Sequence, residues 1–136
     1  MSRDCRARFK GISMTALLVI FACTAAARDA AVMDALDAGW AGVKRCEKLH
    51  EDDYIRVLRC TFPPNVGHER HSHPASFAYV LSGGHVQITD ATGTRQLESK
   101  TDQYMANKPV EWHEGLNTGD TTLRYLIVEK KYPTEK

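Results

Sequence analysis

The stretch from Tyr54 to Leu97, YIRVLRCTFPPNVGHERHSHPASFAYVLSGGHVQITDATGTRQL, decides the fold class. Tyr54–Phe62 is β-branched and apolar and stops at Pro63-Pro64. Phe77–Leu81 is an apolar run stopped by Ser82-Gly83-Gly84, and His85–Thr89 is a short strand stopped by Asp90-Ala91-Thr92-Gly93. Thr94–Leu97, Gln103–Ala106 and Leu123–Glu129 extend the series, with Asn117-Thr118-Gly119-Asp120 as the turn before the last strand. Short strands at close, regular spacing, separated by Gly, Pro, Asn and Asp, predict an all-β barrel or jelly roll.

Upstream of that stretch the pattern differs. Val32, Leu36, Trp40 and Val43 recur at helical intervals, which predicts a short N-terminal helix over 29–43, weakened by Gly39. Residues 28–53 are therefore expected to hold that helix and a first strand, and residues 54–131 the barrel domain. Residues 1–27 read as an address. Arg3, Arg6, Arg8 and Lys10 precede an apolar run from Ile12 to Ala22, and Ala25-Ala26-Ala27 supplies a small-residue cleavage site. This is the pattern of a secretory signal peptide, implying a periplasmic or secreted product. The run is too short for a membrane span. Ile20-Phe21-Ala22-Cys23 offers a second processing route, a lipid anchor on Cys23.

Composition limits the function classes. The 136 residues fit one domain, with 43% hydrophobic and 26% charged residues and a net charge of +1. Without the first 27 residues, 14 basic groups face 16 acidic ones, a net −2. No basic stripe is present to neutralise phosphates, so nucleic-acid binding is not expected. Cys46 and Cys60 flank the polar stretch His50-Glu51-Asp52-Asp53, which reads as a turn between strands. The two cysteines could face each other across a hairpin, and an oxidising compartment favours a disulfide between them; two buried free thiols are the alternative.

The chemistry lies in the histidines. In His68-Glu69-Arg70-His71-Ser72-His73-Pro74, period-two alternation puts Glu69, His71 and His73 on one strand face. Forty residues on, His113 sits in Glu111-Trp112-His113-Glu114. If its strand folds beside the first, three neutral imidazoles converge inside the barrel, a ligand set for a divalent transition metal: Zn, Fe, Ni, Cu or Mn. Glu69 is an additional ligand candidate, and Glu111 shares the parity of His113 and could line the pocket. Phe77, Tyr79 and Tyr104 read as barrel interior and as walls of a ligand pocket, whereas Trp112 should point away from the metal. His85 and His50 read as surface imidazoles, and His68 as a loop residue outside the ligand set. No Ser nucleophile motif, phosphate-cradling Gly-rich loop or zinc Cys cluster is present.

These segments resemble the two motifs of the cupin superfamily. Pro64-Asn65, five residues, His71-Ser72-His73 and then Tyr79-Val80-Leu81-Ser82-Gly83-Gly84 follow the first, with Asn65 where the family has a Gly at positive φ. Thr101-Asp102, Pro109, His113 and Asn117 follow the second. The chain looks most like small, exported single-domain cupins that carry His-Ser-His-Pro-Ala-Ser. The resemblance implies a jelly-roll barrel over about residues 54–129 and a metal on His71, His73 and His113. The family's motif Glu would fall at Ser76 or Phe77, neither a carboxylate, so the usual three-His-one-Glu set reduces to three His. A site lacking that negative charge favours an anionic small-molecule ligand. Dioxygenase or isomerase activity is one expectation. The others are a non-catalytic, ligand- or metal-binding and even metal-free module, and a partner-binding domain that forms a homodimer through sheet edges.

Overall fold

A computed structural model describes residues 32–132 of the chain. Among them the ordered elements are twelve β-strands. β1 (Met33–Asp34), β6 (Gly67–His73), β11 (Val110–Asn117), β8 (Gly84–Asp90) and β9 (Gly93–Ser99) form one sheet, in the order β1-β6-β11-β8-β9. The second sheet runs β10 (Tyr104–Asn107), β7 (Ser76–Ser82), β12 (Leu123–Lys130), β5 (Ile55–Phe62), β4 (Cys46–Glu51). β2 (Gly39–Trp40) and β3 (Val43–Lys44) make a small hairpin. The expected all-β barrel is formed.

Alternation builds the interior. On β7, Ser76, Ala78 and Val80 are buried while Phe77 and Leu81 are exposed. On β12, Leu123 and Glu129 are buried at the two ends of the inward row. The Pro63-Pro64 stop is realised as a turn in which Asn65 takes φ 61°, the left-handed conformation expected there. Asn117 fastens the corresponding corner: its side-chain amide donates to the carbonyls of Phe62 and Thr121, and its oxygen accepts from Gly119 N–H. At Gly67 a Cβ would lie 2.3 Å from the carbonyl oxygen of Gly115 and 2.6 Å from the Trp40 ring. Glycine there lets β6 and β11 approach closely beneath the indole.

The predicted N-terminal helix is not formed over its described part. Met33 and Asp34 instead bridge to β6 in parallel, opposite His71 and Ser72. One turn follows, in which Asp37 and Ala38 N–H donate to the Asp34 carbonyl and Leu36 N–H donates to the Asp34 carboxylate. Asp34 thus caps a single turn, which ends where Gly39 and Trp40 enter the β2–β3 hairpin. Ala41 at φ 51° and Gly42 at φ 78° then close the β2–β3 hairpin. Of the apolar residues with helical spacing, Val32 and Val43 are exposed and Leu36 packs against the core; the fully buried anchors of this segment are Ala35 and Ala38. Cys46 and Cys60 are register partners across β4 and β5 and are joined by a disulfide. The signal-peptide and lipid-anchor expectations, including Cys23, lie outside the described residues, and no described helix is long and apolar enough to cross a membrane.

Candidate metal centre

β6 and β11 carry the three imidazoles to one point. His113 is the register partner of His71, and His73 pairs with Val110. His71 and His73 are buried, and the ligand-capable nitrogens of His71, His73 and His113 all lie within 4.8 Å of one another. The Nε2 atoms of His71 and His73 are 3.0 Å apart, and those of His113 and His71 are 2.8 Å apart. Two donors each about 2.1 Å from one ion, at a right angle, would lie about 3 Å apart.

The far side of two rings fixes their tautomers. His71 Nδ1–H donates to the Glu69 carbonyl at 2.6 Å, and His73 Nδ1–H donates to the Glu129 carboxylate at 2.6 Å. Both Nε2 atoms therefore turn lone pairs toward the same point, an arrangement that a shared cation stabilises. Burial is the main reason that His71 and His113 stay neutral. It pushes His71 down to about 2, with His68 and His113 adding repulsion, and His113 down to about 4. Neutral imidazole is the ligating form, so the donor set fits a divalent transition metal.

The centre stands in a cavity of about 380 Å³ between the sheets. Its walls are mostly apolar, including Val86, Ile88, Leu97, Leu116, Leu123 and Ile127. Polar residues also line it beside the histidines, among them Ser76, Asn107 and Asn117. Tyr125 O–H donates to Ser99 Oγ at 2.8 Å, and Asp90 is ion-paired with Arg95 at 2.6 Å. Asp90 is the register partner of His113, which places this pair at the histidine end of the cavity. Hydrogen bonds from Thr92 and the Arg95 charge hold the Asp90 carboxyl down at about 2.

Several expected site residues fall elsewhere. Glu69 and Glu111 are not in the cavity wall. The reason is two register slips. His71 and His68 oppose His113 and Gly115, so β6 has one residue more than β11 there; Val110 and His113 oppose His73 and His71, so β11 has one more here. Each slip breaks the period-two parity on which both assignments rested. Val110 lines the cavity, and Glu111 is exposed. Phe77, Tyr79 and Tyr104 do not wall the pocket either. Ser76, Ala78, Met105 and Asn107 do, and Phe77 stacks on Tyr104 outside, with ring centroids 5.6 Å apart. Trp112 points away from the centre as expected and carries the Arg70 guanidinium on its face at 3.9 Å. His85 is exposed on β8, and His50, also exposed, bonds Asp52.

Two buried groups escaped the sequence reading. His68 is not in a loop but on β6; it packs on His71 with centroids 3.8 Å apart and donates to the Ala35 carbonyl. Glu129 is fully buried and joins His73 to Arg56, whose Nε donates to its second oxygen at 2.6 Å. The available signal for Glu129 was its parity: it follows Leu123, Tyr125 and Ile127 on the inward row of an apolar strand.

No family model matches this sequence, and no curated protein matches it. Solved structures do. A cupin domain from Bordetella pertussis Tohama I aligns with a TM-score of 0.60 at 18% identity, over 67% of this chain and 100% of that one. A polyketide cyclase from Streptomyces resistomycificus aligns at 0.52 with 21% identity, over 64% of either chain. A cupin-like protein from Thermotoga maritima aligns at 0.51 with 20% identity, over 66% of this chain and 72% of that one. At these identities the likeness is one of fold.

Proposed function

Starting from a fold that is the cupin jelly roll, we propose that this chain is an exported small cupin that holds one divalent transition metal and binds a small organic anion beside it. His71, His73 and His113 would be the metal ligands. The observation that carries this reading is the convergence of three imidazoles, two with their lone pairs fixed inward, at one end of a largely apolar cavity. A bound ion would act as a Lewis acid toward a ligand oxygen and leave positions free for that ligand and for water or dioxygen. The apolar wall excludes water around the ligand body, and three uncharged donors leave the ion's charge to attract an anion. Export is supported by the leader-like first 27 residues and agrees with a Cys46–Cys60 bridge. The exposed Phe77 and Tyr104 on the outer sheet face support self-association as a homodimer.

One observation favours a second reading, a binding module without turnover. Among the described residues, the carboxylate in the cavity wall is Asp90, and it is tied to Arg95 and Thr92 and too acidic for a general base at neutral pH. Catalysis would then rest on the ion and the ligand alone.

Elemental analysis of protein purified from an oxidising compartment, without added metal, is the test. About one transition-metal ion per chain, lost in the His71→Ala/His73→Ala variant, is expected. A wild-type protein that stays metal-free after incubation with Zn, Fe, Ni, Cu or Mn above pH 7 would overturn the metal reading. Dioxygen uptake or isomer formation with small organic acids would separate the enzyme from the module.

A further inference from the structure

The segment after the leader-like residues touches the back of the metal centre in three ways. Met33 pairs with His71 through the backbone of β1 and β6. The carbonyl of buried Ala35 accepts the His68 Nε2–H at 3.0 Å, and the His68 ring lies 3.8 Å from that of His71. The Asp34 carboxylate accepts from Arg56 Nη2 at 2.8 Å; Arg56 Nε donates to Glu129, and Glu129 accepts from His73 Nδ1. Each path starts on residues 33–35 and ends on a ligand histidine.

We propose that residues 33–38 form a strap that completes the metal centre, with Asp34, Arg56 and Glu129 as positioning residues for His73. The inference rests on the metal reading above. Glu129 is the partner that fixes His73 with its proton on Nδ1. Arg56 keeps that carboxylate aimed at His73, and Asp34 holds the guanidinium in place from the strap. Arg56 already contacts Glu129 through both Nε and Nη2; without the Asp34 carboxylate its charge is balanced by Glu129 alone, which withdraws negative charge from His73 and weakens its Nε2 as a donor. Partners of this kind typically change metal affinity by about 10–100-fold when removed. The strap is thus a part of the binding site, and metal uptake is coupled to its docking on β6.

The experiment compares wild type with Asp34→Asn, whose side chain is partly exposed, so the fold tolerates the change. Asp37→Asn is the control: it removes a charge from the same strap, but Asp37 pairs with Lys44 and has no link to His73. Zinc affinity is measured by competition with a chromophoric chelator, and the His73 tautomer by nitrogen-15 shifts in metal-free protein. Asp34→Asn is expected to weaken zinc binding about tenfold and to raise the population of His73 protonated on Nε2, while Asp37→Asn changes neither. Unchanged zinc affinity and an unchanged tautomer in Asp34→Asn would overturn the strap proposal. His71→Ala tests the underlying reading separately, because it should abolish zinc binding whatever the strap does. Should wild type bind no zinc, the metal reading falls and the tautomer shift alone decides whether the relay exists.

Discussion

His71 is 2% exposed and packed between His68 and His113, so a proton on any of these rings brings a charge into a crowded apolar place. Burial lowers His68 to about 4, His71 to about 2 and His113 to about 4, from an ordinary 6.5. In the unfolded chain the same imidazoles titrate near 6.5. Between pH 6.5 and about 4 the unfolded state therefore holds more protons than the native one, and acid favours unfolding. Their contribution is complete above pH 6.5 and is lost as pH falls. Each imidazole that takes up its proton only on unfolding adds a slope of about 1.4 kcal/mol per pH unit. Chelator-treated protein should lose stability steeply from pH 6.5 to 4.5 in urea titrations. His68→Phe, which keeps a ring against His71 but does not titrate, should flatten that slope by about one proton. A stability that is level over this range would contradict neutral burial of the cluster.

At the scale of the strand, much of the architecture was legible because strands announce themselves by alternation and by their stops. Pro63-Pro64, Gly83-Gly84 and the Asn117 turn all end elements where expected. The three converging histidines were legible from two motifs, but their neighbours were not. Parity carries a side-chain assignment only along an unbroken ladder, and both β6 and β11 slip beside the site. Glu69 and Glu111 were lost to those slips. The helix expected over 29–43 is not formed over its described part, residues 32–43, for another reason: its apolar spacing was real, but Met33 is taken by β6 and the chain turns back at Ala41-Gly42 in the β2–β3 hairpin. Asp34, Arg56 and Glu129 meet across separations of 22 and 73 residues, which no local pattern encodes. The β4–β5 hairpin was readable because its cysteines flank a polar turn, and it supports a prediction at this scale. The disulfide closes a loop of 14 residues in sequence separation. Closing such a loop stabilises by about 3 kcal/mol. Cys46→Ala/Cys60→Ala should lower the unfolding free energy by about that amount in denaturant titrations, and the purified wild-type chain should weigh two hydrogens less than its reduced form. A reduced mass in protein exported to an oxidising compartment, or a double variant as stable as wild type, would count against the bridge.

For the whole molecule the question is how folding and occupancy of the cavity constrain each other. The three converging histidines come from β6 and β11, the partner that fixes the His73 tautomer from β12 and the cavity walls from both sheets. An unfolded chain offers no such convergence, and with Cys46 and Cys60 oxidised it offers no thiol at those positions for a metal to bind instead. Metal should therefore bind the native state almost alone and stabilise it by mass action. At a free metal concentration 100 times the dissociation constant the gain is about 2.7 kcal/mol. For a domain of roughly 100 residues each kcal/mol moves the midpoint by about 4–8 °C, so saturation should raise Tm by about 10–20 °C. Calorimetry of chelator-treated protein, with and without zinc at neutral pH, measures this directly. The rise should vanish in His113→Ala, which removes one donor while leaving β11 and the Trp112–Arg70 stack on the other face. At pH 5 competition from protons for the same nitrogens should shrink it. A Tm that rises equally in His113→Ala would mean that zinc stabilises the protein from the surface, through exposed groups such as His50 and Asp52, and that the cavity histidines serve only as packing.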